Sequence, residues 1–278
     1  MRIVSLCPSN TELIGYLQCE HLLVGVDDYS DWPNNVQKLP RLGPDLSINM
    51  DLVEELKPDL ILASLSVPGM ERNINELKKR NLSFITLNPQ SLNDIRKDLL
   101  TVGNLIGVGN YAEKVVKRFD EEITYYKEIS DRIAYKPSIY WEWWPKPLFT
   151  PGGSNWLTEI SALAGAKNLF EDYNEASVQT TWEVVKKRKP QAICLAWVGV
   201  AEKNVNKKVI QKRSGWKELR LSETDIHILE EALFCRPSPR LLVGLKKLAK
   251  LLHPVTFKED ADEDVLLSVV KSVNVDKP

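Results

Sequence analysis

Aromatic residues are the side chains of this sequence best suited to chemistry, because their flat faces can hold a ligand. Eight tryptophans are many for 278 residues, and the run 140–149 reads YWEWWPKPLF. In a strand, Trp141 and Trp143 would share one face and Glu142 the other. Any single tryptophan is as readily explained as a core residue. The clustering nevertheless predicts that several of these rings line a binding cleft.

Other aromatic residues lie where neighbouring strands are expected to end. Trp197 follows an apolar run, and Tyr29 and Trp32 lie in an early loop. Ligands of α/β proteins bind outside the carboxyl ends of the strands. Together these positions favour a cleft for a large, flat or apolar ligand.

Residue patterns that would support catalysis or metal binding are weak. His21, His227 and His253 lie far apart, without metal-ligand spacing. The pair Gly152-Gly153 lacks the other glycines of a dinucleotide-binding motif. We therefore expect a binding protein rather than an enzyme, with no catalytic residue, no metal and no resident cofactor.

Two acidic residues, Asp51 and Glu183, begin similar segments. Residues 51–63 read DLVEELKPDLILA and residues 183–195 read EVVKKRKPQAICL. Each segment predicts an acid-started helix, a Lys-Pro break and a buried strand. The helix dipole alone explains the acids, since a carboxylate at a helix start gains about 0.3–1 kcal/mol. Their matched positions also fit docking of two exposed acids into two basic sockets of a symmetric partner.

The repeat predicts an α/β fold with two Rossmann-like lobes and a crevice between them. Residues 111–133 lack Gly and Pro and carry apolar residues at helical spacing. The expected organisation is an N-terminal lobe, 1–105, a linking helix, 106–135, a C-terminal lobe, 136–256, and a tail, 257–278. Ser9 and Glu12 predict a capping box on a helix that reaches about Leu17.

Further elements follow from apolar periodicity and turn residues. The predicted strands are 2–7, 22–26, 59–64, 82–87, 138–143, 191–197 and 226–229. The predicted helices are 50–57, 70–80, 92–106, 155–164, 181–188, 206–219 and 239–252.

Composition narrows the function classes. The chain carries 37 basic and 38 acidic residues, so a net charge of −1 gives no overall attraction to nucleic acid or an anionic membrane. No segment has the apolar length of a membrane span. The start, MRIVSLCPSN, lacks the pattern of a secretory signal. The sequence as it stands predicts a cytoplasmic monomer, or an extracytoplasmic one if an export segment was removed.

Five short passages, in order along residues 2–254, resemble one protein family. They are IVSLCPSNTEL (3–13), VGVDDYSDWP (24–33), LKPDLI (56–61), FTPG (149–152) and SPR (238–240). The chain resembles the cobalamin-binding-type, helical-backbone (class III) substrate-binding proteins of ABC importers. The resemblance implies a bilobal periplasmic-binding-protein fold and a permease dimer as the possible partner.

The resemblance also implies roles for individual residues. The family's importer-docking acids fall on Asp51 and Glu183. Its ligand-lining positions fall on Tyr29, Phe149 and Phe234, with Arg236 nearby, and Trp143 and Trp197 are this chain's own aromatic additions. Positions that hold tryptophan in a cobalamin binder carry smaller or polar residues here: Asp45, Ser64, Ser177 and Leu233.

The expected ligand is therefore a corrinoid such as cobalamin, captured in the inter-lobe cleft. Another corrinoid, a haem-like tetrapyrrole and an iron–siderophore complex remain alternatives. A cytoplasmic corrinoid-handling protein or enzyme that is not coupled to an importer is the alternative of a different class.

Overall fold

The chain forms two compact units in a computed structural model that describes residues 1–258 and 263–267. The first unit comprises residues 1–120 and 237–239 and the described residues from 265 on. The second comprises residues 121–236 and the described residues between 240 and 264. Residues 259–262 and 268–278, which belong to the predicted tail, lie outside the described residues.

The first unit is built around a parallel four-stranded sheet in the order β2-β1-β3-β4. Strand β3 is buried at every position, as expected for a continuous apolar run in a parallel sheet. The elements of this unit are β1 (Ile3–Ser5), α1 (Pro8–Tyr16), β2 (Leu23–Val26), α2 (Met50–Glu55), β3 (Leu60–Ser64), α3 (Glu71–Lys79), β4 (Phe84–Leu87) and α4 (Leu92–Leu105).

Helix α1 differs from the predicted capping-box helix. It begins at Pro8, and its N-cap residue Cys7 provides no side-chain hydrogen bond. The Glu12 side chain is fully buried and accepts a hydrogen bond from Ser238 Oγ instead of reaching back to the helix start. The prediction of a capping box is therefore wrong, because Glu12 accepts a hydrogen bond from a residue 226 positions away.

The second unit repeats the topology of the first. Its parallel sheet has the order β8-β5-β10-β11, which in chain order is the same 2-1-3-4 arrangement as β2-β1-β3-β4. The elements are β5 (Ser138–Glu142), β6 (Trp144–Pro145), β7 (Leu148–Pro151), α6 (Trp156–Leu163), β8 (Lys167–Asn168), β9 (Ser177–Thr180), α7 (Trp182–Arg188), β10 (Ala192–Leu195), α8 (Lys208–Gln211), β11 (Ile226–Ile228), α9 (Glu231–Phe234) and α10 (Leu241–Leu252).

The two similar sequence segments form the same local structure. Helices α2 and α7 are each followed by a lysine in the left-handed region and then a proline, with φ of 46° at Lys57 and 54° at Lys189. Strands β3 and β10 follow and occupy the same place in their sheets. The left-handed residue ends the helix and redirects the chain, so the shared pattern reflects a duplicated unit.

Two features of the second unit depart from the prediction. A small antiparallel sheet, β6-β7-β9, was not predicted, because its strands are short and contain prolines. The predicted helix 206–219 is wrong. The chain leaves helical geometry after α8 and adopts a left-handed φ of 74° at Gly215 before a 3-10 turn, Trp216–Leu219.

The predicted long helix is present as α5 (Gly109–Asp131). At 1.5 Å per residue it is roughly 35 Å long. Its residues up to Asp120 belong to the first unit and those from Glu121 to the second. The predicted fold class, two α/β lobes joined by one long helix, is therefore confirmed.

One carboxyl group on α4 should make stability depend on pH. Burial raises the pKa of Asp98 to about 7, and the negative charge of Asp94 adds to the shift. Asp98 Oδ2 has no hydrogen-bond partner among the described residues. Because an unfolded Asp titrates near 3.9, the unfolded chain releases this proton first. Stability should therefore fall as pH rises from about 4 to 7.

We expect Asp98→Asn to raise the free energy of unfolding at pH 8 by on the order of 2 kcal/mol. The effect should shrink to about 0.5 kcal/mol or less at pH 4, where the folded state keeps the proton and the unfolded state keeps it about half of the time. Urea unfolding at the two pH values measures this. Equal effects of the substitution at both pH values would contradict the assignment.

Candidate functional site

Three of the predicted ligand-contacting residues meet at the carboxyl edge of the second unit's parallel sheet. Strands β5 and β10 are neighbours, and beyond their ends Val198 N donates to Trp143 O at 3.0 Å. Trp143 N donates to Phe149 O at 3.2 Å. The backbones of Trp143, Phe149 and Val198 therefore adjoin at the place where α/β sheets bind ligands, while the Trp197 ring packs into the buried cluster that contains Tyr140 and Trp182.

The three rings differ in exposure. Trp143 and Phe149 are half-buried, and the Trp143 ring packs against Trp156 at 6.2 Å between centroids. Trp197 is only 9% exposed. Neighbouring protein atoms thus hold the rings while leaving part of two aromatic faces free. Little conformational entropy would be lost on contact with a ligand.

A fully buried carboxylate, Glu142, organises this edge. It accepts two hydrogen bonds from the Arg213 guanidinium, at 2.6 and 2.9 Å. Tyr140 Oη donates to it at 3.1 Å and Trp197 Nε1 at 3.2 Å. A buried charge is tolerated only when it is paired and hydrogen-bonded. These four donors meet that requirement and hold the indole of Trp197 in place.

The same pair affects its neighbours. Burial, together with the Glu142 charge, raises the pKa of Tyr140 far above its usual range, so this hydroxyl stays a donor. The Arg213 guanidinium also lies over the Trp182 ring at 5.1 Å, a favourable cation–π arrangement. Neither Glu142 nor Arg213 was predicted as a site residue. A single acid inside an apolar aromatic strand was the only sequence signal.

Phe234 and Arg236 lie near the same edge, where Cys235 Sγ donates to Ala196 O at 3.1 Å. The Phe234 ring has no exposed surface and packs against Trp141 at 5.4 Å. In this structure Phe234 therefore supports the core rather than offering a ligand surface. Arg236 is half-buried, and its Nη2 lies 3.2 Å from Glu231 Oε2.

Tyr29, the predicted contact in the first unit, follows β2 and is 50% exposed. The buried Asp27 carboxylate accepts hydrogen bonds from the backbone N–H groups of Tyr29 and Ser30, at 2.8 and 3.1 Å. Arg41 Nη1 donates to the carbonyl oxygens of Asp27 and Ser30, at 2.9 and 2.6 Å. The loop is therefore held from both sides while the phenol ring remains accessible.

A network of buried hydroxyl groups lies beside the Tyr29 loop in the first unit. Thr11 Oγ1 donates to Ser5 Oγ at 2.8 Å and lies 2.7 Å from Ser30 Oγ. These residues join the end of β1, the first turns of α1 and the Tyr29 loop. Polar residues follow the first strand although this part of the chain is buried. The hydroxyl network accounts for them, because it satisfies their hydrogen bonds.

The two predicted docking acids are exposed, each on its own unit. Asp51 follows the N-cap Asn49 of α2 and pairs with Arg80 at 2.7 Å, and Arg80 also contacts Glu54. Glu183 lies in the first turn of α7, whose N-cap is Thr181. In the part of the chain that the structure describes, Glu183 has no ion-pair partner. Both carboxylates are accessible to a partner.

The described residues contain neither a cluster of metal ligands nor a membrane-spanning helix. No group of three or more His, Cys, Asp or Glu side chains is arranged to hold a metal ion there. Within residues 1–258 and 263–267, no helix combines the length and apolar character needed to cross a bilayer.

Comparison with known proteins relates this chain to periplasmic binding proteins. The model of the family described as periplasmic binding protein matches residues 3–220. An uncharacterized ABC transporter substrate-binding lipoprotein of Bacillus subtilis, YvrC, is 31% identical over 264 residues, which are 93% of this chain and 82% of that protein. A vitamin B12-binding protein of Yersinia pestis is 28% identical over 254 residues, which are 91% of this chain and 87% of that protein.

A solved structure shows the same fold at lower identity. Staphylococcus aureus IsdE complexed with heme aligns with a TM-score of 0.80 and 17% identity, covering 91% of this chain and 98% of the other. At that identity the likeness shows the fold alone.

Removing the charge of Glu142 should disrupt the carboxyl edge of the second unit. In Glu142→Gln, Arg213 keeps its buried charge without a carboxylate, which costs about 3–5 kcal/mol when a buried pair is broken. We expect the free energy of unfolding to fall by that order, with a shift in tryptophan fluorescence because Trp197 loses its acceptor. Chemical unfolding followed by fluorescence measures both effects.

Glu230→Gln is the matched control, because Glu230 pairs with Lys247 at the surface rather than in the core. Surface pairs contribute about 0–1 kcal/mol. If Glu142→Gln costs no more than Glu230→Gln, the buried pair does not organise this edge.

Proposed function

Because the chain belongs to the periplasmic binding protein family, whose members bind substrates for transport, we propose that it captures a corrinoid of the cobalamin type for an ABC importer. The observation that carries this proposal is the group of Trp143, Phe149 and Trp197 at one sheet edge. The 28% identity to a vitamin B12-binding protein over most of both chains supports the choice of ligand.

The chemistry of a corrin ring matches this group of side chains. The macrocycle is broad and largely apolar on its faces, and its rim carries amide groups. Aromatic rings provide a large contact area at low entropic cost, since each has only two side-chain torsions. Trp143 and Phe149 would contact the apolar face. The exposed phenol of Tyr29, in the first unit, is a hydrogen-bond donor of the kind that rim amides accept from.

Arg236 has a narrower role in the proposal. Its half-buried guanidinium is paired with Glu231 and would meet acceptor groups on the ligand. Phe234, with no exposed surface, would act by supporting Trp141. Trp197 would keep the site rigid through its bond to Glu142.

The proposed function places the protein outside the cytoplasmic membrane. An importer receives its substrate from that side, and the similar Bacillus subtilis protein is described as a lipoprotein. Of the two locations expected from the sequence, cytoplasmic or extracytoplasmic, the proposed function favours the second.

Ligand binding can be tested with a panel of cobalamin, haem and a ferric siderophore. We expect cobalamin to remain bound after desalting of the wild-type protein, with a dissociation constant in the micromolar range or below. Trp143→Ala should weaken binding at least about fivefold, since stacking of a flat ring on an aromatic side chain contributes about 1–3 kcal/mol. Absorbance titration measures each dissociation constant.

Trp144→Ala is the matched control for that variant. Trp144 is the next residue, is 43% exposed, and its Nε1 donates to Lys146 O. We expect its removal to leave the affinity unchanged. Tight binding of haem or siderophore without binding of cobalamin would contradict the corrinoid assignment while leaving the transport family intact.

The docking role of the two exposed acids can be tested separately. We expect the double variant Asp51→Lys and Glu183→Lys to lose association with the importer through like-charge repulsion while ligand affinity stays the same. Stability should change little, because the Arg80 pair is exposed. Cross-linking in native membranes, followed by recovery of the importer, measures association.

The double variant Glu113→Lys and Glu128→Lys is the matched control. Both residues are exposed on α5, one in each unit, so the charge change is identical. Equal loss of association in both double variants would show a general charge effect. Retained association of the Asp51 and Glu183 variant would reduce both acids to helix-start residues.

A further inference from the structure

Positive charge is concentrated in one segment of the second unit. Residues 186–220 contain eleven of the chain's 37 lysines and arginines and only two of its 38 acidic residues, Glu202 and Glu218. The remaining residues carry 26 basic and 36 acidic side chains. The net charge of −1 therefore conceals a strongly basic segment in an otherwise acidic chain.

Tertiary contacts bring α7, α8 and the following 3-10 turn of this segment together. The 3-10 turn Trp216–Leu219 packs against both α7 and α8. Trp182 Nε1, at the start of α7, donates to Ser214 O at 2.8 Å. A Cβ atom on Gly215 would lie 2.5 Å from Lys186 Nζ, so the end of α7 touches the loop before the turn.

Two charges of the segment are paired with acids, one at the surface and one with a buried carboxylate. Arg188 pairs with Asp172 and Arg213 pairs with the buried Glu142. Seven others are exposed, and none of them forms an ion pair within the described residues. Six of these lie on α7, α8 and the turn Trp216–Leu219 or directly after them, and we call these six the basic face: Lys187, Lys189, Lys208, Lys212, Lys217 and Arg220.

The basic face has the chemistry of a surface that meets phosphate groups. Five of its six residues are lysines, which act as hydrated point charges rather than as the planar fork that arginine offers to carboxylates. Lys208 and Lys212 are four residues apart around α8 and so lie on one side of it. Val184 and Val209, exposed by 36% and 39%, add apolar side chains within the same region.

Anionic lipid is the occupant that these features fit best. A lysine near an anionic bilayer contributes about 1 kcal/mol to binding, and exposed apolar side chains beside lysines are typical of interfacial contacts. We propose that the basic face binds the headgroups of an anionic phospholipid membrane. This proposal depends on the proposed function in one respect: a binding protein that delivers its ligand to an importer works beside a bilayer.

The position of Glu183 agrees with this proposal. Lys187 follows Glu183 by four residues, so both side chains lie on the same side of α7. A membrane protein that receives Glu183 would therefore bring Lys187 close to the lipid around it. The two contacts are compatible, since Glu183 would bind a basic site on the importer while the lysines would bind lipid phosphate groups.

Vesicle binding tests the proposal without the importer or the transported ligand. The full chain is mixed with vesicles of phosphatidylcholine alone or with about 30% phosphatidylglycerol, and the bound fraction is measured by flotation. We expect at least tenfold stronger binding to the anionic vesicles at low salt, and a marked loss at 0.5 M salt because screening shortens the range of the attraction.

A charge-neutralising variant locates the contact. Each lost lysine should weaken binding about fivefold, the factor that corresponds to about 1 kcal/mol, so four substitutions should weaken it by more than about 100-fold. The variant carries Lys187→Gln, Lys208→Gln, Lys212→Gln and Lys217→Gln. The matched control removes four exposed lysines of the first unit through Lys38→Gln, Lys78→Gln, Lys114→Gln and Lys117→Gln.

The outcomes separate this proposal from the proposed function. The proposal is supported if the first variant loses vesicle binding but still binds cobalamin, and if the control variant keeps vesicle binding. Equal binding to neutral vesicles, no vesicle binding, or equal losses in both variants would overturn it. Binding to RNA or to an acidic protein without binding to anionic vesicles would also overturn it, whatever the transported ligand.

Discussion

The buried carboxylate of Glu142 is the constraint on which the carboxyl edge of the second unit depends. Taking a charge out of water costs several kcal/mol unless donors replace the water. The donors come from three separate places in the sequence: Tyr140 in β5, Trp197 after β10, and Arg213 after α8. Any displacement of one of them leaves a buried charge incompletely satisfied, so the edge has one favoured arrangement. The rings of Trp143 and Phe149 are presented by that fixed edge.

Much of the architecture could be predicted because it depends on local patterns. Residues 51–63 and 183–195 show the helix, the break and the strand directly, and the left-handed Lys57 and Lys189 confirm their equivalence. The long apolar periodicity likewise predicted α5. The rest depends on contacts between residues distant in sequence. The Glu12–Ser238 bond and the Glu142–Arg213 pair join residues 226 and 71 positions apart, and a single sequence carries no sign of such partners.

The charge distribution links the surface to the proposed function. Aromatic side chains lie at the sheet edge, exposed acids begin α2 and α7, and exposed lysines follow on the second unit. Each group suits a different partner, namely a flat ligand, a protein socket or phosphate groups. A total charge near zero hides this separation because the basic segment offsets the acidic remainder. Local charge after folding, rather than net charge, therefore decides which partners the protein can attract.

The central claim is that Trp143, Phe149 and Trp197 form part of a corrinoid site. A crystal structure of the protein grown with cobalamin tests it most directly. We expect the corrin ring to lie within van der Waals contact of Trp143 and Phe149, with Trp197 still bonded to Glu142. A corrin bound away from this edge, or an edge left empty at saturating cobalamin, would contradict the account.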